Sequence, residues 1–282
     1  MTLPLVSTEW LAAHLHDPDL VALDASFYLP TEKADAHEIF KAGHIPGARF
    51  FDIEKIADDE TDLPHMVPAA GRFSRMMAGL GITPDHRVVF YDQKGLFSAA
   101  RGWWLMDLFG HEAGKNLVLD GGLPKWRAEH HTIEVGEPHF ATARFYPASL
   151  HTAKWRGVGD MIDLVASGRE LVLDARSRAR FFGQAPEPRP GLPGGHMPGA
   201  RNLPATDLLR ADQTMLAPPE LRAIFAAAGD DGGRQVVTSC GTGVTAAILS
   251  LGRAVAGLPQ GALYDGAWTE WASRADTPKT FD

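Results

Sequence analysis

The sequence contains two copies of one pattern, and this duplication restricts the possible fold more than any other feature. Four segments of the first half recur in the same order in the second half, between 145 and 152 residues further along. The matched segments are LVALDAS with LVLDARS, GHIPGAR with GHMPGAR, VVFYD with VVTSC, and DGGLPKW with DGAWTEW. A repeat of this length indicates duplicated domains rather than a solenoid. We therefore expect domains at 1–135 and 155–282, joined by an extended linker at 136–154.

Each copy alternates short apolar runs with helical patterns. Leu20–Ala25 and Leu171–Ala175 are apolar runs interrupted only by an Asp near the end, which is typical of buried parallel strands. The apolar spacing between such runs is helical and stops before a glycine, as at Gly81 and Gly229. This alternation predicts an α/β fold with a mainly parallel sheet flanked by helices in each domain.

Charge and hydropathy exclude several classes of partner. The formal net charge is -8 and the sequence pI is about 5.8, so a basic nucleic-acid surface is not expected. No apolar run approaches the length of a membrane span, and the first basic residue is Lys33, which argues against a secretory signal. We expect a cytoplasmic protein without nucleic-acid or membrane partners.

The chain has a single cysteine, Cys240, so an intramolecular disulfide or a multi-cysteine metal site is impossible. It follows a predicted strand and precedes a predicted helix, with Gly241 and Gly243 between them. Ligands bind at this edge of open α/β sheets, and a helix N-terminus favours an anion such as a thiolate. The first copy has Asp92 at the matching position, so only the second copy can use a thiolate. A buried apolar cysteine, or a phosphate loop with an incidental cysteine, is the alternative.

The two GHxPGAR segments and the motif CGTGVTA resemble the rhodanese-fold sulfurtransferases over essentially the whole chain. The resemblance implies two tandem rhodanese-like domains, the second of which is catalytic. It also implies that Cys240 carries the transferred sulfur as a persulfide. The loop that would hold the persulfide comprises Gly241, Thr242, Gly243, Val244 and Thr245.

The neutral loop resembles the pattern close to CGSGVT of enzymes specific for 3-mercaptopyruvate, whereas thiosulfate enzymes usually carry basic residues after the cysteine. Thr242 stands where most relatives have Ser; it keeps the hydroxyl and adds a methyl group. The segment SRARFFGQAPEPRPG resembles the family's substrate-binding segment, which implies that Arg180 and Arg189 hold the keto acid. Arg176 and Arg178 lie nearby and are interpreted as outside this pair.

The segment FFDIEKIADDETDLPHMVP resembles the part of the family that supplies an acid and a histidine to the active loop. The resemblance implies that Glu54, at a position where many relatives have Asp, and His65 form a relay with Thr242. A carboxylate that orients an imidazole, which then moves a proton, is a common catalytic arrangement. No metal or cofactor is implied.

The expected reaction moves sulfur from 3-mercaptopyruvate to a thiol such as thioredoxin, or to cyanide, and releases pyruvate. Three alternatives stay open: a thiosulfate sulfurtransferase, a cysteine-dependent phosphatase and a non-catalytic persulfide carrier. The phosphatase needs an arginine that closes the loop, and none follows Cys240 before Arg253. Two domains that bury their mutual interface can suffice as a monomer.

Overall fold

A computed structural model describes residues 3–282 and divides them into two compact units. Unit 1 consists of the chain up to Glu60, Val67–His151 and Arg210–Met215, and unit 2 consists of Thr61–Met66, Thr152–Leu209 and Leu216–Asp282. Each unit therefore includes a short segment from the other half of the sequence. The residues 136–151, expected in the linker, are grouped with unit 1.

Unit 1 contains one parallel sheet with helices between its strands. Its strands are β1 (Leu5–Val6), β2 (Leu20–Asp24), β3 (Arg49–Phe50), β4 (Arg87–Tyr91) and β5 (Asn116–Leu119). Its helices are α1 (Thr8–His14), α2 (Ala36–Ala42), α3 (Ile53–Ile56), α4 (Ala70–Gly79), α5 (Ala99–Leu108) and α6 (Gly122–Ala128).

Unit 2 repeats this arrangement. Its strands are β6 (Trp155–Arg156), β7 (Leu171–Asp174), β8 (Arg201–Asn202), β9 (Val236–Ser239) and β10 (Ala262–Tyr264). Its helices are α7 (Val158–Ser167), α8 (Arg178–Phe181), α9 (Pro218–Ala227), α10 (Ala246–Ala256) and α11 (Ala267–Ser273).

Within residues 3–282 both sheets are parallel and have the same strand order. The order is β1-β5-β4-β2-β3 in unit 1 and β6-β10-β9-β7-β8 in unit 2. The predicted α/β class and the duplication are confirmed, and the registers also correspond, since Asp24 pairs with Tyr91 as Asp174 pairs with Ser239. The Asp92 and Cys240 loops begin at the carboxyl ends of β4 and β9, which are the central strands of the two sheets.

Apolar side chains fix the inner strands of each sheet, which are buried on both faces. All residues of β2, β5, β7, β9 and β10 are buried. One cluster in unit 1 includes Leu11, Phe40 and Trp126, and one in unit 2 includes Met161 and Trp268. Buried apolar area of this kind contributes roughly 25 cal/mol per Å² to stability. The sheets therefore provide rigid edges on which the loops are held.

Candidate functional site

Cys240 follows the last residue of β9 and is 2% exposed. The Cys240 and Gly241 carbonyls accept hydrogen bonds from the backbone N–H groups of Trp268 and Thr269, both at 2.9 Å. The Thr269 hydroxyl also donates to the Gly241 carbonyl, at 2.7 Å. The first turn of α11 thus fixes the start of the loop. The N-terminus of α10, which lies at the other end of the loop, favours negative charge there.

The matching loop in unit 1, which begins at Asp92, binds a carboxylate through its backbone. The buried Asp92 carboxylate accepts hydrogen bonds from four backbone N–H groups of its own loop. They belong to Lys94 (2.9 Å), Phe97 (2.8 Å), Ser98 (2.8 Å) and Ala99 (2.9 Å). Consecutive N–H groups that converge in this way form an anion site. The Asp92 loop is therefore an anion site occupied by its own side chain.

The Cys240 loop is anchored in the same way but supplies no carboxylate. The Asp92 carbonyl accepts from Leu123 N–H at 3.0 Å, as the Cys240 carbonyl accepts from Trp268. The Cys240 loop is one residue shorter than the Asp92 loop. Counted back from the first residue of the following helix, the N–H groups of Val244, Thr245 and Ala246 match those of Phe97, Ser98 and Ala99, and counted from the cysteine the N–H group of Thr242 matches that of Lys94. Ala246 is not among the residues expected from sequence, because it is the first residue of the helix.

Arg180 is the predicted site residue that the structure places against the loop. It lies on α8, and a Cβ atom added to Gly241 would be 2.9 Å from Arg180 Nη2. The guanidinium therefore occupies the space that a side chain at position 241 would need. Glycine at this position has a direct physical reason, namely the close approach of an arginine.

Sequence reasoning missed the buried carboxylate that holds Arg180. Glu187 accepts from Arg180 Nε at 3.1 Å and also from its Nη2, and it accepts from Arg176 Nη1 at 2.8 Å. Arg176 in turn donates to Asp174 through Nε and through Nη2, the latter at 2.7 Å. We call these four residues the arginine–carboxylate cluster. No periodicity identifies it, since Glu187 lies on an irregular loop.

The other arginines of this segment have different surroundings. Arg189 is partly buried two residues after Glu187, on the same loop. Arg178 is 65% exposed and pairs with Asp207, with Nη2–Oδ2 at 2.7 Å. Arg176, in contrast, is fully buried and belongs to the arginine–carboxylate cluster. Arg176 thus contacts the same carboxylate as Arg180, and its exclusion from the Arg180–Arg189 pair stays a prediction.

His65 and Glu54 belong to different units. His65 is 4% exposed, has a φ of 63° and lies in Thr61–Met66, which joins the unit that contains Cys240. Glu54 is exposed on α3 in unit 1, where it lines an open pocket of about 510 Å³. The partly exposed Thr242 lies on the Cys240 loop. The relay between Glu54, His65 and Thr242 stays a prediction.

The histidines of the two GHxPGAR segments have the same contacts in both units. His44 stacks on Phe40 at 4.1 Å and its Nδ1 bonds the Phe40 carbonyl at 3.0 Å. His196 stacks on Phe181 at 3.8 Å and its Nδ1 bonds the Phe181 carbonyl at 3.0 Å. Contacts present in the copy without cysteine indicate a structural role.

Comparison with known proteins identifies the family. The model of the rhodanese-like domain matches residues 7–129 and again 158–274. The chain belongs to the rhodanese-like family. This tandem rhodanese-like chain is 40% identical to the 3-mercaptopyruvate sulfurtransferase of Escherichia coli K12, over 97% of this chain and 96% of that one. It is also 40% identical to the mitochondrial thiosulfate/3-mercaptopyruvate sulfurtransferase 1 of Arabidopsis thaliana, over 98% of this chain and 77% of that one.

The rhodanese fold is confirmed at the level of three-dimensional structure. The crystal structure of SseA from Escherichia coli, a 3-mercaptopyruvate sulfotransferase, superposes with a TM-score of 0.86 at 36% identity. The match covers 95% of this chain and 99% of SseA. The resemblance stated from the motifs is therefore confirmed for both copies. Among residues 3–282, no helix has the length and apolarity that crossing a membrane requires.

Proposed function

We propose that the protein transfers sulfur from 3-mercaptopyruvate to a thiol or cyanide through a persulfide on Cys240. The observation that carries the proposal is the correspondence between two loops, at Asp92 and at Cys240. In unit 1 this backbone binds a carboxylate through four N–H groups. In unit 2 a loop one residue shorter leaves the equivalent strand with a cysteine in place of the aspartate, and by this correspondence its N–H groups would bind an anion carried on sulfur.

Arg180 and Arg189 supply the substrate's counter-charge in this proposal. Arginine is always charged and binds a carboxylate with two parallel hydrogen bonds. The Arg180 guanidinium lies against Gly241, the residue directly after Cys240, and is therefore next to the loop. A keto acid held there by its carboxylate presents its sulfur-bearing carbon to the loop.

His65 and Thr242 are proposed to move protons, with Glu54 as the orienting acid. Support comes from the segment of the second half that corresponds to the His65 segment. Gln213, at the position matching His65, has a φ of 66° and packs on the Asp92 loop, since a Cβ on Gly95 would be 2.4 Å from Gln213 Cβ. By this correspondence His65, whose φ is 63°, faces the Cys240 loop.

The reaction has two steps. The Cys240 thiolate attacks the thiol sulfur of 3-mercaptopyruvate, and the C–S bond breaks with its electron pair passing to the enolate of pyruvate. A proton transferred to the enolate carbon completes pyruvate, and the persulfide loses its proton. The acceptor thiolate, or cyanide, then attacks the outer sulfur and releases the Cys240 thiolate. Such covalent catalysis gives ping-pong kinetics.

Thiosulfate is the second candidate donor, because some relatives carry both donors in their names. The loop of this chain argues against it. The residues between Cys240 and Ala246 are neutral, and a sulfonate group benefits from a nearby Lys or Arg. We further propose a cytoplasmic monomer that passes its sulfur to a small thiol or to a reduced thioredoxin.

Steady-state sulfur transfer with the two donors tests the proposal directly. The full chain is assayed with 3-mercaptopyruvate and with thiosulfate, with cyanide or a dithiol as acceptor. We expect kcat/KM to be at least about tenfold higher with 3-mercaptopyruvate, because the carboxylate contacts of Arg180 and Arg189 are absent with thiosulfate. A preference for thiosulfate would contradict the proposed donor. Persulfide formation without turnover on either donor would indicate a carrier.

A further inference from the structure

Glu187 is a buried carboxylate shared by two arginines. Its side chain is 2% exposed, although it lies on the irregular loop after α8. Oε1 accepts from Arg176 Nη1 at 2.8 Å, and Oε2 accepts from Nε and Nη2 of Arg180. A buried carboxylate is stable only when its oxygens are paired in this way. Glu187 is thus fixed with respect to both arginines.

Arg176 is a rigid anchor for Glu187 because its guanidinium is held on several sides. Besides Glu187 it donates to Asp174, and its Nη2 also donates to the Gly195 carbonyl at 2.8 Å. Its Cζ lies 4.4 Å from the centroid of the Trp268 ring. Trp268 itself donates its backbone N–H to the Cys240 carbonyl. The anchor is therefore connected through Trp268 to the backbone of the cysteine loop.

Glu187 occupies one particular edge of Arg180. An arginine can bind a carboxylate along the Nε–Nη2 edge or along the Nη1–Nη2 end. Glu187 takes the first of these, while the Nη2 group lies close to Gly241. The Nη1–Nη2 end stays available to a ligand. Arg178, in contrast, uses both Nη1 and Nη2 on Asp207.

We propose that Glu187, anchored by Arg176, is a positioning residue that orients Arg180 so that its Nη1–Nη2 end receives the carboxylate of the substrate. This inference rests on the proposed function and adds a residue to it. The two acids and two arginines of the arginine–carboxylate cluster balance in charge, so Glu187 offsets the repulsion between Arg176 and Arg180 and holds both guanidinium groups on one carboxylate.

The part of unit 1 that the structure describes has no such cluster, which supports its connection with the cysteine copy. Ser26 matches Arg176, and its hydroxyl bonds Asp24. Leu123 matches Trp268 and keeps the backbone hydrogen bond to the loop without an aromatic ring. A purely structural requirement of the fold would apply to both units. The cluster is therefore associated with the loop that carries Cys240.

The test is Glu187→Gln in the full chain, assayed for 3-mercaptopyruvate turnover, pyruvate binding and loading of Cys240 from inorganic polysulfide. We expect KM for 3-mercaptopyruvate and Kd for pyruvate to rise about tenfold, because a misplaced guanidinium weakens carboxylate binding. Polysulfide has no carboxylate, so its loading rate, followed by mass spectrometry, should change by less than about twofold. Glu187→Asp should lie between the wild type and Glu187→Gln.

The matched control is Asp207→Asn, which removes the partly exposed carboxylate that pairs with Arg178, the arginine two residues before Arg180 on α8, and it should leave all three measurements unchanged. Unchanged KM and Kd in Glu187→Gln would overturn the proposal. A lower KM would also overturn the proposal, because it would mean that Glu187 competes with the substrate carboxylate for Arg180. Equal losses with polysulfide and with the keto acid would indicate a structural role. If the wild-type protein binds pyruvate but does not turn over 3-mercaptopyruvate, the proposed function is refuted. The comparison of Kd for pyruvate between the wild type and Glu187→Gln would still decide the role of Glu187.

Discussion

The loops at Asp92 and Cys240 leave equivalent central strands and are anchored by the same backbone hydrogen bond, but only the loop of unit 1 begins with a carboxylate. In unit 1 the charge is the Asp92 carboxylate, covalently part of the loop and bonded to four N–H groups. In unit 2 the residue at the matching position is Cys240, whose side chain ends in a sulfur atom. In the proposed reaction, the Cys240 loop receives a transferred group where the Asp92 loop holds its own carboxylate.

The aspartates that end the neighbouring strands show a second difference. Burial raises the pKa of Asp24 to about 6, despite hydrogen bonds from Ser26 and Gln93 that act in the opposite direction. Asp174, at the matching position, is paired with Arg176 instead. The copy that contains Cys240 thus has a cation where the other copy has only neutral donors. That cation is also the anchor of Glu187.

The largest expected effect comes from Cys240→Ser. Sulfur transfer from either donor should fall by at least about a thousandfold, because a hydroxyl cannot form a persulfide and unit 1 has no thiol to replace it. The free energy of unfolding should change by less than about 1 kcal/mol, since the side chain keeps its approximate size. Transfer assays and urea unfolding check both statements. Retained transfer would refute the central role of Cys240.

A large effect on stability is expected for Asp92→Asn, in the loop of unit 1 that matches the Cys240 loop. The amide removes the charge and presents a donor where an oxygen accepted N–H groups. Because hydrogen bonds to charged groups contribute about 1.5–3 kcal/mol each, we expect a loss of roughly 2–3 kcal/mol in unfolding free energy. Urea unfolding beside Cys240→Ser provides the measurement and its control. A loss below about 0.5 kcal/mol would show that the loop does not depend on its internal anion.

The smallest effect is expected for Asp24→Asn, as a function of pH. In the folded protein the pKa of Asp24 is raised above its ordinary value of 3.8 to about 6, so the folded state binds this proton more tightly. The stabilising contribution is fully present below pH 3.8 and is lost as pH rises to about 6.

Asp24→Asn lacks this titration, so its unfolding free energy relative to the wild type should increase between these pH values. One pKa unit corresponds to about 1.4 kcal/mol, so the relative gain is on the order of 2 kcal/mol. Hydrogen bonds lost in the variant add an offset that does not vary with pH. Urea unfolding of both proteins at a series of pH values measures the difference. A difference that does not vary with pH would show that Asp24 has an ordinary pKa in the folded state.

Local patterns predicted the elements that are long and apolar. The runs at β2 and β7 and the helical spacing before Gly81 and Gly229 appear in the structure within a residue or two of their predicted limits. The two-residue strands β1, β3, β6 and β8 were not predicted. A run this short has no measurable periodicity, and its extended form is decided by the neighbouring strand with which it pairs.

The sequence by itself determined the duplication, the α/β class and the placement of Cys240 between a strand and a helix. These follow from order along the chain and from the periodicity of apolar residues, which are local properties. Only the tertiary structure decided that Thr61–Met66 and Arg210–Met215 join the unit of the opposite half, and that Glu187 is buried between two arginines. Such contacts depend on how irregular loops return to the sheet edge, and no spacing of residue types specifies that path.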